Sequence, residues 1–322
     1  MRVLITGGAG FIGSNYVRQT LGGYLKELAR ITVLDKLTYA GNVNNLSKEL
    51  KNEYEFIKGD ICDWNLVNSL ASRNDVIINF AAETHVDHSI KNSKNFIESN
   101  IIGVQNLLQA SLENNVKTFI QISTDEVYGS ITDGSASEDF LLKPSSPYSA
   151  SKAAGDLIAY SYFKTFGMDV RITRCTNNYG PYQFPEKIIP LFITNLIRGK
   201  KIPIYGNGNN IREWIHVDDH CRGIHSVLLN GKAGEVYNIG SGNELSNNNL
   251  ANIILQKMDR NQSDIEFVND RKGHDFRYSV NSKKIIDNLK FKPLVNFDYG
   301  ITNTINWYID NKEWWQSIEA LK

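Results

Sequence analysis

Six short, β-branched runs alternate with helix-length segments through the first half of this chain, and no other feature narrows its fold as far. The runs lie at residues 2–6, 31–34, 55–58, 76–80, 118–123 and 169–174. Neighbouring parallel strands need a crossover connection, so strand, helix, strand repeated in this way predicts a parallel sheet with helices on both faces. Residues 92–114 and 148–166 are the clearest crossover helices. The first carries Phe96, Ile97, Ile101, Val104, Leu107, Leu108, Ser111 and Leu112 at i, i+3 and i+4 spacings, which marks one apolar face.

After Arg174 the alternation stops. Residues 177–183 read as loop, 187–199 as helix, 205–210 as a second loop, 215–230 as a short strand leading into a helix, and 235–239 as a strand able to return to the sheet. From about Gly242 the pattern is mixed, with no internal repeat and no low-complexity linker. The expected fold is therefore α/β, a doubly wound parallel sheet with a smaller C-terminal mixed α/β domain laid over its ends.

With 322 residues the chain suffices for one large domain or two modest ones. Lys and Arg total 35 against 35 Asp and Glu, so no general basic field exists to attract nucleic acid, and any anionic ligand must be met by a few placed groups. Cys62, Cys175 and Cys221 lie far apart and are odd in number, which suits a reduced compartment without structural disulfides. There is no apolar stretch of about 18 residues, and Met1 leads directly into a strand-like run instead of a secretory leader. A soluble, cytoplasmic protein with no membrane partner is expected.

Thr6-Gly7-Gly8-Ala9-Gly10-Phe11-Ile12-Gly13 follows the first strand and opens a helix, and it reads as G-x-G-x-x-G from Gly8 or G-x-x-G-x-x-G from Gly7. Such glycines permit the tight turn and let backbone N–H groups approach a pyrophosphate at a helix N-terminus. Asp35 ends the second strand, where an acid accepts from ribose hydroxyls and repels a 2′-phosphate, so the cofactor expected is NAD and the sheet is of Rossmann type. Lys36 beside it is a cation that would attract that phosphate. Asp60-Ile61 and Ala81-Ala82 fall at the ends of the third and fourth strands, the edge on which doubly wound sheets bind ligands.

Tyr148 and Lys152 are four residues apart on one helix face. An ammonium one turn away, together with the nicotinamide charge, would favour the phenolate of a tyrosine that is otherwise a poor base near neutrality. Ser123-Thr124-Asp125-Glu126-Val127-Tyr128-Gly129 closes the fifth strand. Two carboxyl groups beside one sugar can have their pKa values pushed apart, leaving one a proton donor and the other a base.

On these residues the chain resembles the extended short-chain dehydrogenase/reductases. Within them it is similar to the dTDP-glucose 4,6-dehydratase family, over nearly its full length. The segments that carry the likeness are 81–87, 123–129, 175–187 and 271–275. The resemblance implies that Tyr148, assisted by Lys152 and Thr124, takes the C4 hydroxyl proton while hydride passes to NAD. Glu126 then removes the C5 proton, Asp125 protonates the departing C6 hydroxyl, and hydride returns to C6 to give a 4-keto-6-deoxy sugar nucleotide. NAD would stay bound through each turnover.

The resemblance also implies the contacts. Leu37, Thr38 and Ser99 would join Gly7, Gly10, Phe11, Ile12, Gly13, Asp35, Lys36, Asp60, Ile61, Ala81, Ala82, Tyr148 and Lys152 around the cofactor, with Asn178 at its nicotinamide end. His85 and Asn177 would lie near the sugar or phosphates. Lys187, Ile188, Pro203, Ile204, Tyr205, Arg212, Asn247, Asp270, Arg271 and His274 would hold the nucleotide diphosphate, Arg by paired hydrogen bonds. The helices at 92–114 and 148–166 would pair two copies through a four-helix bundle. The implied division is 1–174 with 212–242 for NAD, and 175–211 with 243–322 for the sugar nucleotide.

Departures from the family pattern fall at His88, Ser99, Val104 and Lys272, none of them among the five proposed catalytic residues. UDP-glucose or another NDP-hexose is the alternative substrate. A UDP-sugar 4-epimerase or decarboxylase would keep Tyr, Lys and Thr without the full Thr-Asp-Glu, and a non-catalytic NAD-binding protein would be expected to have lost some of the five. The pairs His216/His220 and His85/His88 lack a metal-site pattern, with no further ligand expected in range, so no metal is expected. Trp307, Trp314 and Trp315 read as packing.

Overall fold

The computed structural model describes residues 1–46 and 52–319. Its strands are β1 Arg2–Thr6, β2 Arg30–Asp35, β3 Tyr54–Lys58, β4 Val76–Asn79, β5 Thr118–Thr124, β6 Val170–Cys175, β7 Asn177–Tyr179, β8 Ile202–Tyr205, β9 Ile211–His216, β10 Val236–Ile239, β11 Glu244–Ser246 and β12 Ile265–Val268. The helices are α1 Phe11–Leu21, α2 Trp64–Ala71, α3 Val86–Lys91, α4 Lys94–Ile97, α5 Val104–Glu113, α6 Pro147–Phe166, α7 Ile188–Ile197, α8 Val217–Asn230, α9 Asn247–Lys257, α10 Lys283–Leu289, α11 Phe297–Asp310 and α12 Lys312–Glu319.

Seven strands form one parallel sheet in the order β10-β6-β5-β4-β1-β2-β3. Both faces are covered, which is why its central strands read as unbroken apolar runs. Val3 and Ile5 of β1 point into one core with Tyr16 and Val17 of α1 and Ile224 and Val227 of α8. Leu4, between them, points into the other with Val67 of α2, Leu107 of α5 and Ala159 of α6. Toward the carboxyl ends a buried polar ladder crosses the strands: Thr6 Oγ1 donates to Asn79 at 2.6 Å, and Asn79 Nδ2 to Gln121 at 2.9 Å. Unpaired amides here would be costly, so the ladder holds the three strands in register.

The strand expected over 235–239 does return, as β10 beside β6. Two expectations change. Residues 177–179, read as loop, form β7, which pairs with β9 in a small sheet ordered β11-β9-β7. Three residues with two asparagines carry no alternation, so only the partner reveals the strand. The helix expected over 92–114 is interrupted by a π-helical segment, Glu98–Gly103, between α4 and α5. There Asn100 is fixed by its side chain, which accepts from Glu83 N at 2.9 Å and donates to Glu83 O at 3.0 Å and Ser151 Oγ at 2.8 Å. Widened turns of this kind gather at functional sites, and this one turns Ser99 toward the crevice described below.

A third core joins α7, α9, α11 and α12 to β8, with Trp315 fully buried at its centre. Strand β9 links the cores: Trp214 packs into the third and Ile215 into the first.

Gly155 of α6 lies so close to the π-helical segment that a Cβ would meet Asn100 O at 2.7 Å. Gly155→Val is expected to destabilise the fold by about 1–3 kcal/mol, as overpacking does, measured as a lower urea midpoint at unchanged m-value. An unchanged midpoint would mean that the two segments separate at no cost.

Candidate active site

The strand order reverses between β1 and β4, and the crevice at that reversal gathers most of the residues the sequence singled out. Gly7 adopts φ +66°, and a Cβ on it would lie 2.5 Å from Ala81 N, so the loops after β1 and β4 touch backbone to backbone. A Cβ on Gly13 would meet Gly7 O at 2.4 Å, which seats the first turn of α1 on the loop. Asp35 accepts from Ala9 N at 2.9 Å and Leu37 N at 2.8 Å. Burial pushes its carboxyl pKa up while these amides pull it down. Lys36 is paired with Asp60 at 2.6 Å, so this cation is already engaged beside the acid.

Gly7, Gly10, Phe11, Ile12, Gly13, Asp35, Lys36, Thr38, Asp60, Ile61, Ala81, Ala82 and Ser99 line the crevice, and Asn178 closes its far end. Leu37, at φ +55°, contributes its amide to Asp35 and does not line the crevice. A cradle without Cβ atoms at a helix N-terminus, next to a fixed carboxylate, fits a dinucleotide.

Thr124, Asp125, Glu126, Tyr148 and Lys152 stand in the same crevice. A 3-10 turn, Asp125–Tyr128, follows β5 directly, and Thr124 Oγ1 caps it by accepting from Glu126 N at 3.3 Å. Helix α6 opens with a Ser146/Ser149 capping box and Pro147, which fixes Tyr148 in its first turn. Lys152 Nζ donates to Ile122 O at 2.6 Å.

The two carboxyl groups sit in different surroundings. Burial, then the charges of Glu126 and Glu213, push Asp125 well above the usual carboxylate range, and its Oδ2 is buried with no hydrogen-bond partner among the described residues. Burial also raises Glu126, but Arg271, Arg212 and Lys187 pull it back in that order. Both carboxyls are thus raised by burial, Asp125 the more strongly and Glu126 with more cations opposing the rise.

For Tyr148 the chain's own groups act against the phenolate. Burial, followed by the charge of Glu126, pushes its hydroxyl well above the usual phenol range, and burial pulls Lys152 down, with Asp156 opposing. One ammonium does not offset the desolvation of both groups in the same dry pocket. The chain's own groups raise the Tyr148 hydroxyl, and the nicotinamide charge is the further contribution that favours its phenolate.

Asn177, Lys187 and Ile188 line the crevice, and Lys187 Nζ donates to Thr84 O at 3.2 Å. Arg212, Asp270, Arg271, His274 and Tyr205 form an adjoining cluster outside its lining. Arg212 stacks 4.3 Å from the Tyr278 ring and donates to Asp275 O at 2.9 Å, Arg271 lies 4.0 Å from Asp87, and His274 lies 2.6 Å from Asp270. Tyr205 packs edge-on to His274 with ring centres 6.4 Å apart. Pro203 and Asn247 also lie outside the lining, and the Ile204 side chain is buried in the third core, leaving only its main chain to a ligand.

His85 caps α3, its Nδ1 accepting from His88 N at 3.3 Å. Contrary to the sequence reading, a third ligand is in range: ligand atoms of His85, His88 and Glu186 lie within 4.8 Å of one another. Fold, not sequence spacing, brings Glu186 there. Of the other pair, His216 caps α8, and His220 Nδ1 lies 2.9 Å from Asn178 Oδ1. Burial pushes His220 down to about 3, so it is a neutral ring that orients Asn178. Trp314, expected only to pack, lines the crevice with Tyr39, Glu83, Tyr182 and Ile318, none of which a local motif announces.

A family model described as GDP-mannose 4,6 dehydratase matches residues 4–304. A dTDP-glucose 4,6-dehydratase of Streptomyces niveus is 52% identical over 99% of this chain and 96% of its own length. The crystal structure of DesIV, a dTDP-glucose 4,6-dehydratase from Streptomyces venezuelae solved with NAD, superposes with a TM-score of 0.97 at 50% identity, covering 99% of this chain and all of that one. A UDP-glucose 4-epimerase from Thermotoga maritima reaches a TM-score of 0.90 at 27% identity, over 97% of this chain and all of that one.

The burial of Asp125 has a signed effect on stability. Below its ordinary value of 3.8 it is protonated in folded and unfolded chains alike. Above that value the folded chain holds more protons than the unfolded one, so stability falls as pH rises through the window up to the raised pKa. Asp125→Asn removes this loss. The melting temperature of the variant relative to the parent is expected to climb as pH rises above about 4; a difference independent of pH would refute the raised carboxyl.

Proposed function

The chain belongs to the GDP-mannose 4,6 dehydratase family, and on that premise we propose that it converts dTDP-glucose to dTDP-4-keto-6-deoxyglucose as an NAD-dependent hydro-lyase. The observation that carries the reading is the buried pair Asp125 and Glu126, raised to different degrees beside Tyr148 in one crevice. An enzyme that only inverted C4 would have no leaving group to protonate.

When bound, NAD supplies an acceptor that takes hydride from C4 of the sugar and gives it back at C6. Gly7 through Gly13 would cradle its pyrophosphate, Asp35 its ribose, and Asn178, oriented by His220, its nicotinamide end. Thr124 and Tyr148 hold the C4 hydroxyl, and Tyr148, ionised once the nicotinamide charge joins that of Lys152 one turn away, receives its proton. The ketone acidifies the C5 proton, which passes to Glu126, whose ionised form is favoured by the facing Arg271, Arg212 and Lys187. Asp125 gives its proton to the C6 hydroxyl, which leaves as water, and C5 is reprotonated after hydride return. Arg212 and Arg271 are the guanidinium groups placed for the diphosphate.

The three cores support a division into 1–174 with 212–242 for NAD and 175–211 with 243–322 for the sugar nucleotide, β9 being shared at its start. The described residues contain no helix long and apolar enough to cross a membrane, and Cys62, Cys175 and Cys221 are free thiols, which suits work in the cytoplasm. Ile97, Ile102, Leu157, Tyr160 and Phe166 expose apolar surface on the segment from α4 to α5 and on α6, which supports a homodimer through a four-helix bundle.

Incubation with dTDP-glucose and no added cofactor is expected to give a product lighter by one water, read by mass spectrometry. No water loss from dTDP-glucose, with NAD present in the protein, would overturn the reading. Sedimentation is expected to give a dimer of the 36.4 kDa chain, and Leu157→Lys a monomer; a parent protein that sediments as a monomer would refute the bundle.

A further inference from the structure

The C-terminal helix α12 belongs to the third core, yet two of its side chains, Trp314 and Ile318, line the crevice that opens at the other end of the molecule's sequence. A run of contacts ties it to the glycine loop. Trp314 Nε1 donates to Asn45 Oδ1 at 3.0 Å, and Asn45 Nδ2 donates to Ala9 O, inside the loop, at 2.9 Å. Arg18 of α1 donates to the Asn45 carbonyl and lays its guanidinium 4.1 Å from the centre of the Tyr182 ring. Tyr182 in turn packs against Trp307 at 4.5 Å and Trp314 at 5.5 Å, and those two indoles lie 5.0 Å apart.

This arrangement is held against cost. Tyr182 is a non-glycine residue at φ +68°, a conformation that side chains disfavour and that persists only when surrounding contacts impose it. The neighbouring Trp315 is fully buried and donates to Tyr308 O at 2.9 Å, which pins the helix from behind. Trp314 instead remains part-exposed and presents surface to the crevice beside Gly10, Phe11 and Asn45.

We infer that α12, through Trp314 and Ile318, completes the NAD site as an outer wall over the glycine loop and slows the cofactor's departure between turnovers. The inference rests on the functional reading above, because a reaction that returns its hydride within the site gains nothing from cofactor exchange. The ligand class is a dinucleotide diphosphate. Asn45 acts as a positioning residue: it couples the wall to the Ala9 carbonyl.

The test is the rate at which the full-length protein, loaded with radiolabelled NAD, loses label into an excess of unlabelled NAD. Trp314→Ala is expected to release NAD about tenfold faster or more, the size of one lost hydrogen bond plus an aromatic contact. Asn45→Ala and Ile318→Ala are expected to move in the same direction, and Trp314→Phe, which keeps the ring and loses the N–H, to fall between. Wild-type release rates in Trp314→Ala and Ile318→Ala proteins with parental far-ultraviolet circular dichroism would overturn the wall. Should Trp314→Ala fail to fold, the Asn45 and Ile318 variants carry the same expectation. A parent protein that retains NAD but removes no water from dTDP-glucose would overturn the functional reading alone, leaving the retention result to be judged separately.

Discussion

The contact on which the rest of the structure depends is the backbone-to-backbone approach of Gly7 and Ala81. With a Cβ only 2.5 Å from Ala81 N, no other residue fits between the loops that leave β1 and β4. Those strands are neighbours at the reversal of strand order, locked by the Thr6, Asn79 and Gln121 ladder. From that junction each functional segment takes its place at a strand's carboxyl end: Asp35 after β2, Asp60 after β3, Thr124 to Glu126 after β5, and Asn177 and Asn178 just beyond β6. The crevice is a consequence of topology, and its chemistry is what those strand ends carry.

The second constraint is dryness. A chain with 35 acidic and 35 basic residues has no net field, but burial makes local charge count. Asp125 and Glu126 are both raised chiefly by the cost of ionising where water is excluded, and for Glu126 three cations brought from distant parts of the chain oppose the rise. The same dryness raises the Tyr148 hydroxyl and lowers the Lys152 ammonium. A site tuned this way gives up stability near neutral pH to hold its carboxyl groups apart in proton affinity.

What the sequence made legible was whatever is local. The glycine loop, the strand-ending Asp35, the Tyr148 and Lys152 spacing and the Thr124-Asp125-Glu126 triplet are contiguous or one helical turn apart, so their pattern survives without coordinates. What it hid depends on partners far along the chain. Strand β7 exists because β9 pairs with it, and the π-helical segment is accompanied by Asn100 bonding Glu83 and Ser151. Glu186 stands by His85 and His88 only through the fold. Trp314 looked like one member of an aromatic cluster, and nothing in its own neighbourhood marks it as facing the glycine loop. The net charges of Arg212 and Arg271 were legible as cations, but their action on Glu126 was not. Tyr148 shows the converse: helical spacing fixed its neighbour correctly, yet spacing carries no information on desolvation, which dominates its acidity.

The central claim is that one bound cofactor takes hydride from C4 and returns it to C6 of the same sugar while Asp125 and Glu126 expel water between the two events. Turnover of dTDP-glucose deuterated at C4, in ordinary water and in mixture with unlabelled sugar carrying a heavy-carbon marker, tests it most directly. The account predicts deuterium at C6 of the 4-keto-6-deoxy product, confined to molecules without the carbon marker. Deuterium lost to solvent, or found on marked molecules, would contradict it.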